Sequence, residues 1–187
     1  MIEVRPLRSK DTRAGEVLLT QAFGEDRGMM AVMGSRIDRL DRWFQATLQL
    51  LTGSGGGCLA AYDDVRVMGV LLHSPSRPPS THKQLVWAAS VMMRAGPGPV
   101  LRTAAHDRAR RDVNPQGARI VEFVAVHPDV RGRGIAKSLF AELHRSFHNT
   151  WLETTRIENV TIFERLGYRQ RGSRSEDGVE YFHMERS

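Results

Sequence analysis

One stretch constrains this chain more than any other. An apolar run from Val121 to Val126 meets His127-Pro128-Asp129-Val130-Arg131-Gly132-Arg133-Gly134, and a helical stripe follows at Ile135, Leu139, Phe140, Leu143 and Phe147. The pattern predicts a strand over 119–127, a tight glycine turn and a helix over 134–148. Such a turn leaves the first helical amides without intrahelical partners, and the positive end of the helix favours an anion. Gly132 and Gly134 lack a β-carbon, so the backbone can take unusual φ angles and a diphosphate can approach closely. Arg131 and Arg133 bring positive charge to the same place. Rival phosphate motifs fit poorly: there is no GxxxxGK[ST] and no strand-linked G-x-G-x-x-G with an acidic residue following it.

Arg131-Gly132-Arg133-Gly134-Ile135-Ala136 resembles the (Gln/Arg)-x-x-Gly-x-(Gly/Ala) signature of the Gcn5-related N-acetyltransferases. A second block is similar to that family as well. The predicted strand Thr150-Trp151-Leu152-Glu153-Thr154-Thr155 precedes Glu158-Asn159-Val160-Thr161-Ile162-Phe163-Glu164-Arg165-Leu166-Gly167-Tyr168, which resembles the E-N-V-x-x-Y-E-R-L-G-F helix and turn of the puromycin N-acetyltransferase-like branch. Gly167 suits the left-handed end of a helix. The specific resemblance covers about 119–172; the N-terminal half agrees only in the order of its elements.

The resemblance implies an α/β (mixed α+β) acyl-CoA N-acyltransferase fold, a strongly twisted mixed sheet flanked by helices, formed by residues 1–187 as one domain. It implies that Arg131, Gly132, Arg133, Gly134, Ile135 and Ala136 hold the pyrophosphate of acetyl-CoA. It implies that Val124, Ala125 and Val126 pair with the pantetheine amides in a gap between the strands at 119–127 and 150–155, and that Asn159 and Phe163 line the coenzyme arm. The implied activity is transfer of acetyl from acetyl-CoA to a primary amine of a small molecule, directly and without a metal. A non-catalytic acyl-CoA-binding sensor is the alternative, because Phe163 stands where the family commonly has a tyrosine thought to protonate the departing sulfur. Tyr168 and Tyr181 are possible replacement hydroxyls, although Tyr168 is expected to pack.

An amine of pKa ~10 must lose a proton before it attacks. Glu122 is the first candidate base: strand alternation puts it on one face with Val124 and Val126. A glutamate paired with arginine at a strand edge is the competing account, and the sequence leaves both open. His127, His183 and the terminal carboxylate of Ser187 are weaker candidates.

Composition narrows the partners. The chain has 187 residues, 41% hydrophobic and 26% charged, as expected of a globular protein with a sizeable core. No run approaches the ~20 apolar residues of a membrane span, and the N-terminus reads as lacking a signal peptide. The single cysteine, Cys58, in an apolar strand, reads as a buried small hydrophobe, and a cytoplasmic location is expected. The net charge of +6 raises nucleic-acid binding, but the arginines are dispersed. The cluster Arg108, Arg110 and Arg111 reads as a solvated helix face, so no nucleic-acid partner is expected. The assembly is expected to be a monomer or homodimer.

The remaining pattern predicts a strand over 2–7, a helix capped by Asp11 and ending near Phe23, and a connector over 25–34. It further predicts a helix carrying Ile37, Leu40, Phe44, Leu48 and Leu51, then a hairpin of 58–62 and 65–73. A proline-rich loop over 74–80 leads to helices over 81–95 and 100–112, split by Gly96-Pro97-Gly98-Pro99. A helix over 158–166 and strands near 167–172 and 178–185 complete the order.

Overall fold

A computed structural model describes residues 2–75 and 77–187; Ser76, in the expected proline-rich loop, lies outside the described residues. Its strands are β1 (Ile2–Pro6), β2 (Gly57–Asp63), β3 (Arg66–His73), β4 (Arg119–Val126), β5 (Thr150–Thr154), β6 (Arg169–Glu176) and β7 (Val179–Arg186). They form one sheet in the order β1-β2-β3-β4-β5-β7-β6. Every pairing is antiparallel except β4 with β5. The expected mixed sheet is therefore present.

Helices cover both faces. On one face α1 (Thr12–Phe23), α2 (Arg27–Met33), α3 (Leu40–Thr52), α4 (Thr81–Ala95) and α5 (Pro97–Arg111) contribute to a core that includes Leu19, Met33, Phe44, Val91, Val70 and Leu72. On the other, α6 (Ile135–Ser146) and α7 (Ile157–Arg165) build a second core with Leu139, Phe140, Leu143 and Val160 against Leu71 and Leu152. The stripe on α3 buries Leu40, Phe44, Leu48 and Leu51, each such side chain being worth about 1.5–3 kcal/mol of transfer free energy. Cys58 is buried, as expected, and burial pushes its thiol up to about 12.

Several expectations are corrected. The connector at 25–34 contains α2, started by Asp26, whose Oδ1 accepts the Met29 N–H at 3.0 Å. Ile37 lies in a 3-10 turn, Gly34–Arg39, ahead of α3. Asp11 stands at the N-cap of α1, as expected, but its side chain makes no capping bond there: its carboxylate binds Arg8 at 2.5 Å and the Tyr62 hydroxyl at 3.1 Å. α5 begins at Pro97 rather than 100, because a proline at the first helical position lacks only an N–H that would have no acceptor there. Gly96, with φ of +84°, makes the break from α4 alone.

The register of β3 and β4 carries the correction that matters most. Leu71, Leu72 and His73 pair with Val124, Phe123 and Val121, so the pairing skips Glu122. This is a β-bulge: one extra residue on β4 re-aims its side chain. Val124 and Val126 pack with the second core, whereas Glu122 is bound by Arg110 of α5, beside the first. The expected shared face of Glu122, Val124 and Val126 does not exist.

Candidate active site

The parallel pairing of β4 with β5 joins Arg119 to Thr150, Ile120 to Trp151 and Val121 to Leu152, and goes no further. Beyond Leu152, β5 still pairs with β7 through Thr154, and β4 still pairs with β3 through Val126. The two strands therefore part, and the edge of β4 at Val124, Ala125 and Val126 that faces β5 is left without strand pairing. A cavity of about 830 Å³ opens here. Val124, Leu152, Asn159 and Phe163 line one part of it, and Trp43, Trp87 and Phe123 another.

The glycine turn lies between β4 and α6. The Arg131 N–H donates to Pro128 and the Arg133 N–H to Val130, closing the turn. Gly132 and Gly134 have φ of +77° and +79°, so both need the left-handed region that glycine tolerates. A β-carbon at either would meet nothing within 4 Å. The protein itself thus leaves room beside the backbone. The Ser138 N–H donates to the Gly134 carbonyl and starts the helical ladder. The N–H groups of Ile135, Ala136 and Lys137, in the turn before it, have no helical acceptor, and this end of the helix attracts anions. Arg131 and Arg133 are exposed, whereas the Ile135 side chain is buried and anchors the helix. These features fit the diphosphate of a coenzyme.

Asn159 Nδ2 donates to Thr154 Oγ1 at 3.2 Å, tying α7 to the end of β5. Phe163 packs edge-on against Phe140 at 5.8 Å and lies 6.0 Å from Tyr168. Tyr168 is a packing residue, as expected: it is buried, and Thr150 Oγ1 donates to its hydroxyl at 2.7 Å. Tyr181, in contrast, lines the cavity, with Arg174 over its ring at 4.5 Å. Burial pushes both phenols upward.

Glu122 reaches the cavity with both oxygens engaged. Arg110 Nη1 donates to Oε2 at 2.7 Å and Nη2 to Oε1 at 3.2 Å, and Arg110 also meets Asp107 at 2.9 Å. Burial disfavours the charge on Arg110, but Glu122 and Asp107 outweigh it and hold the guanidinium above its ordinary value. Arg110 consequently leaves the solvated face expected for it, while Arg108 and Arg111 remain exposed.

The sequence reading missed a charged network at the end of β5. Glu153 lies 3.1 Å from Arg174, 3.4 Å from His106 and 3.2 Å from His183. Burial raises its carboxyl, but the bonds from His106 and Arg174 prevail and hold it below the usual range. Glu176 completes the network, contacting Arg174 and lying 3.1 Å from His106. His127, by contrast, is partly exposed and accepts the Asp129 N–H within its own turn, and Ser187 is exposed.

The model of a family described as "Acetyltransferase (GNAT) domain" matches residues 104–187, which contain β4, the glycine turn, β5 and α7. No curated protein matches the chain. Among solved structures, a protein described as histone acetyltransferase HPA2 and related acetyltransferase, from Corynebacterium glutamicum, has a TM-score of 0.77 at 18% identity, covering 99% of this chain and 95% of its own. A ribosomal-protein-alanine N-acetyltransferase from Brucella melitensis has a TM-score of 0.61 at 16% identity, with 98% of each chain covered. An agmatine N-acetyltransferase has a TM-score of 0.57 at 16% identity, covering 99% of this chain and 98% of its own. The family match covers the C-terminal part of the chain, and the likeness to the solved structures shows the shared fold. Neither distinguishes the puromycin N-acetyltransferase-like branch.

Proposed function

We propose that the protein is an acetyl-CoA-dependent N-acetyltransferase acting on a primary amine of a small molecule. One observation carries the proposal: β4 parts from β5 directly beside a turn of open amides and flanking arginines, and a cavity fills the gap. The GNAT family normally uses acetyl-CoA, and the named structural relatives include one whose acceptor, agmatine, is a small amine. Fold alone does not select an acceptor.

Arg131, Arg133 and the first amides of α6 would hold the diphosphate, and the free edge of Val124, Ala125 and Val126 would pair with the pantetheine arm. Asn159 and Phe163 would border that arm. Acetyl-CoA, when bound, supplies the acetyl thioester, which the amine attacks directly, forming C–N, breaking C–S and releasing the thiolate. Glu122 is the proposed proton acceptor, directly or through water. To take a proton at either oxygen it must give up one bond from Arg110.

Thiol release from acetyl-CoA with a panel of primary amines tests the activity. Acetyl-CoA should raise the melting temperature of the parent, and the Arg131→Ala/Arg133→Ala variant should lose most of that shift while folding normally. Glu122→Gln should lower turnover strongly and leave the coenzyme shift intact. Equal shifts in parent and arginine variant would refute the assigned diphosphate site. The second reading, a coenzyme sensor, draws on Phe163, which offers no proton to a leaving sulfur. Tight acetyl-CoA binding with no thiol release on any amine would establish it.

A further inference from the structure

Among the described residues four carboxylates line the cavity: Asp26, Asp107, Glu122 and Glu153. Three are already matched to cations. Glu122 and Asp107 share Arg110, and Glu153 is held by Arg174 and His106. Asp26 differs. Its Oδ1 accepts the Met29 N–H at 3.0 Å and its Oδ2 accepts the Thr155 hydroxyl at 2.8 Å, both neutral donors. Among the described residues it makes no ion pair. A carboxylate has about four acceptor sites, so each oxygen can take a further bond.

Its position is fixed by contacts across the sheet end. A β-carbon on the buried Gly28 would come within 3.1 Å of both Asp26 Oδ1 and Thr155 Cγ2, and within 3.4 Å of the Tyr181 ring. Only glycine lets these three side chains converge there without displacement. Thr155 directly follows β5, so Asp26 sits at the strand end where the cleft opens. The neighbouring wall is aromatic: Phe123 is edge-on to Phe23 at 5.1 Å and to Trp43 at 5.8 Å, and Trp43 is edge-on to Trp87 at 6.4 Å.

We infer that Asp26 is the residue that receives the ammonium group of the acceptor, and that the acceptor is a primary amine carried on an aromatic or compact apolar body. The assignment rests on the acetyltransferase reading for the purpose of the cleft but not for its chemistry. A cation entering the cavity meets one carboxylate without a positive partner. Its apolar part meets rings that stack on flat groups and stabilise a nearby cation. Asp26 is a specificity residue here.

The test needs no coenzyme. Tryptophan fluorescence of the whole chain is titrated with 2-phenylethylamine, 2-phenylethanol and phenylacetate, since Trp43 and Trp87 line the cavity. The parent should bind the amine at least about tenfold more tightly than the alcohol, and the anion most weakly. Asp26→Asn keeps a capping oxygen for Met29 and should lose about tenfold in amine affinity, with alcohol affinity within about twofold. Any other order of affinities in the parent overturns the inference, whether or not the variant folds. So does an amine preference that survives Asp26→Asn, or the absence of a fluorescence change with all three ligands. The acetyl-CoA melting shift is measured on the same samples. Its absence, with amine selectivity intact, would sink the acetyltransferase proposal and leave the Asp26 site standing.

Discussion

Arg110 joins α5 to the bulge of β4, and its removal should cost far more than removal of its main partner. The Arg110 side chain is 18% exposed and that of Glu122 9%, so the pair is largely shielded from water. Arg110→Met leaves Glu122 and Asp107 without the cation they share. Losing one side of a buried pair costs about 3–5 kcal/mol. Glu122→Gln leaves Arg110 with Asp107 at 2.9 Å and still offers a carbonyl oxygen, so its cost should be about 1–2 kcal/mol, near that of one charged hydrogen bond. For a chain of this length each kcal/mol shifts the melting temperature by roughly 2–4 °C. The arginine variant should therefore melt roughly 6–20 °C lower and the glutamine variant only a few degrees lower. Urea unfolding of the parent, both single variants and the double variant gives the coupling, expected at about 1–3 kcal/mol. Additive losses, or a larger loss for Glu122→Gln than for Arg110→Met, would refute the pairing and with it the account of how the bulge is held.

Phe163→Tyr puts a hydroxyl on the ring that borders the proposed coenzyme arm; steady-state kinetics with an accepted amine should show a higher kcat and little change in the KM for acetyl-CoA, and an unchanged kcat would show that proton delivery to sulfur does not limit the rate. His73 and His144 are each held down to about 4, His73 by burial and then Arg119, His144 by burial and then Arg186. Both are neutral when folded and take up a proton near 6.5 when unfolded, so their contribution is complete above that pH and is lost progressively as pH falls toward about 4. Urea midpoints should decline steadily from about pH 7 to about pH 4.5, and a flat series would refute the burial argument for both rings.

Local sequence determined the parts of this protein whose physics is local. The strand, glycine turn and helix around Arg131 to Ala136 could be read directly, because positive φ at Gly132 and Gly134 and open helical amides depend on neighbours a few residues away. The apolar stripes of α3 and α6, the packing role of Tyr168 and the burial of Cys58 were legible for the same reason. Tertiary structure decided the rest. A single skipped residue in the β3–β4 register turned Glu122 toward Arg110, since side chains alternate along a strand and one insertion changes the face. The separation of β4 from β5 is invisible in either strand alone, being a fact of where pairing stops. Asp26 gave only the signal of a residue at the edge of a connector. Its place in the cleft comes from a bond to Thr155, more than a hundred positions away, and that it makes no ion pair among the described residues is a fact of the folded packing around it. Backbone conformation follows from near neighbours, but the partner of a charge follows from the packing of the whole fold.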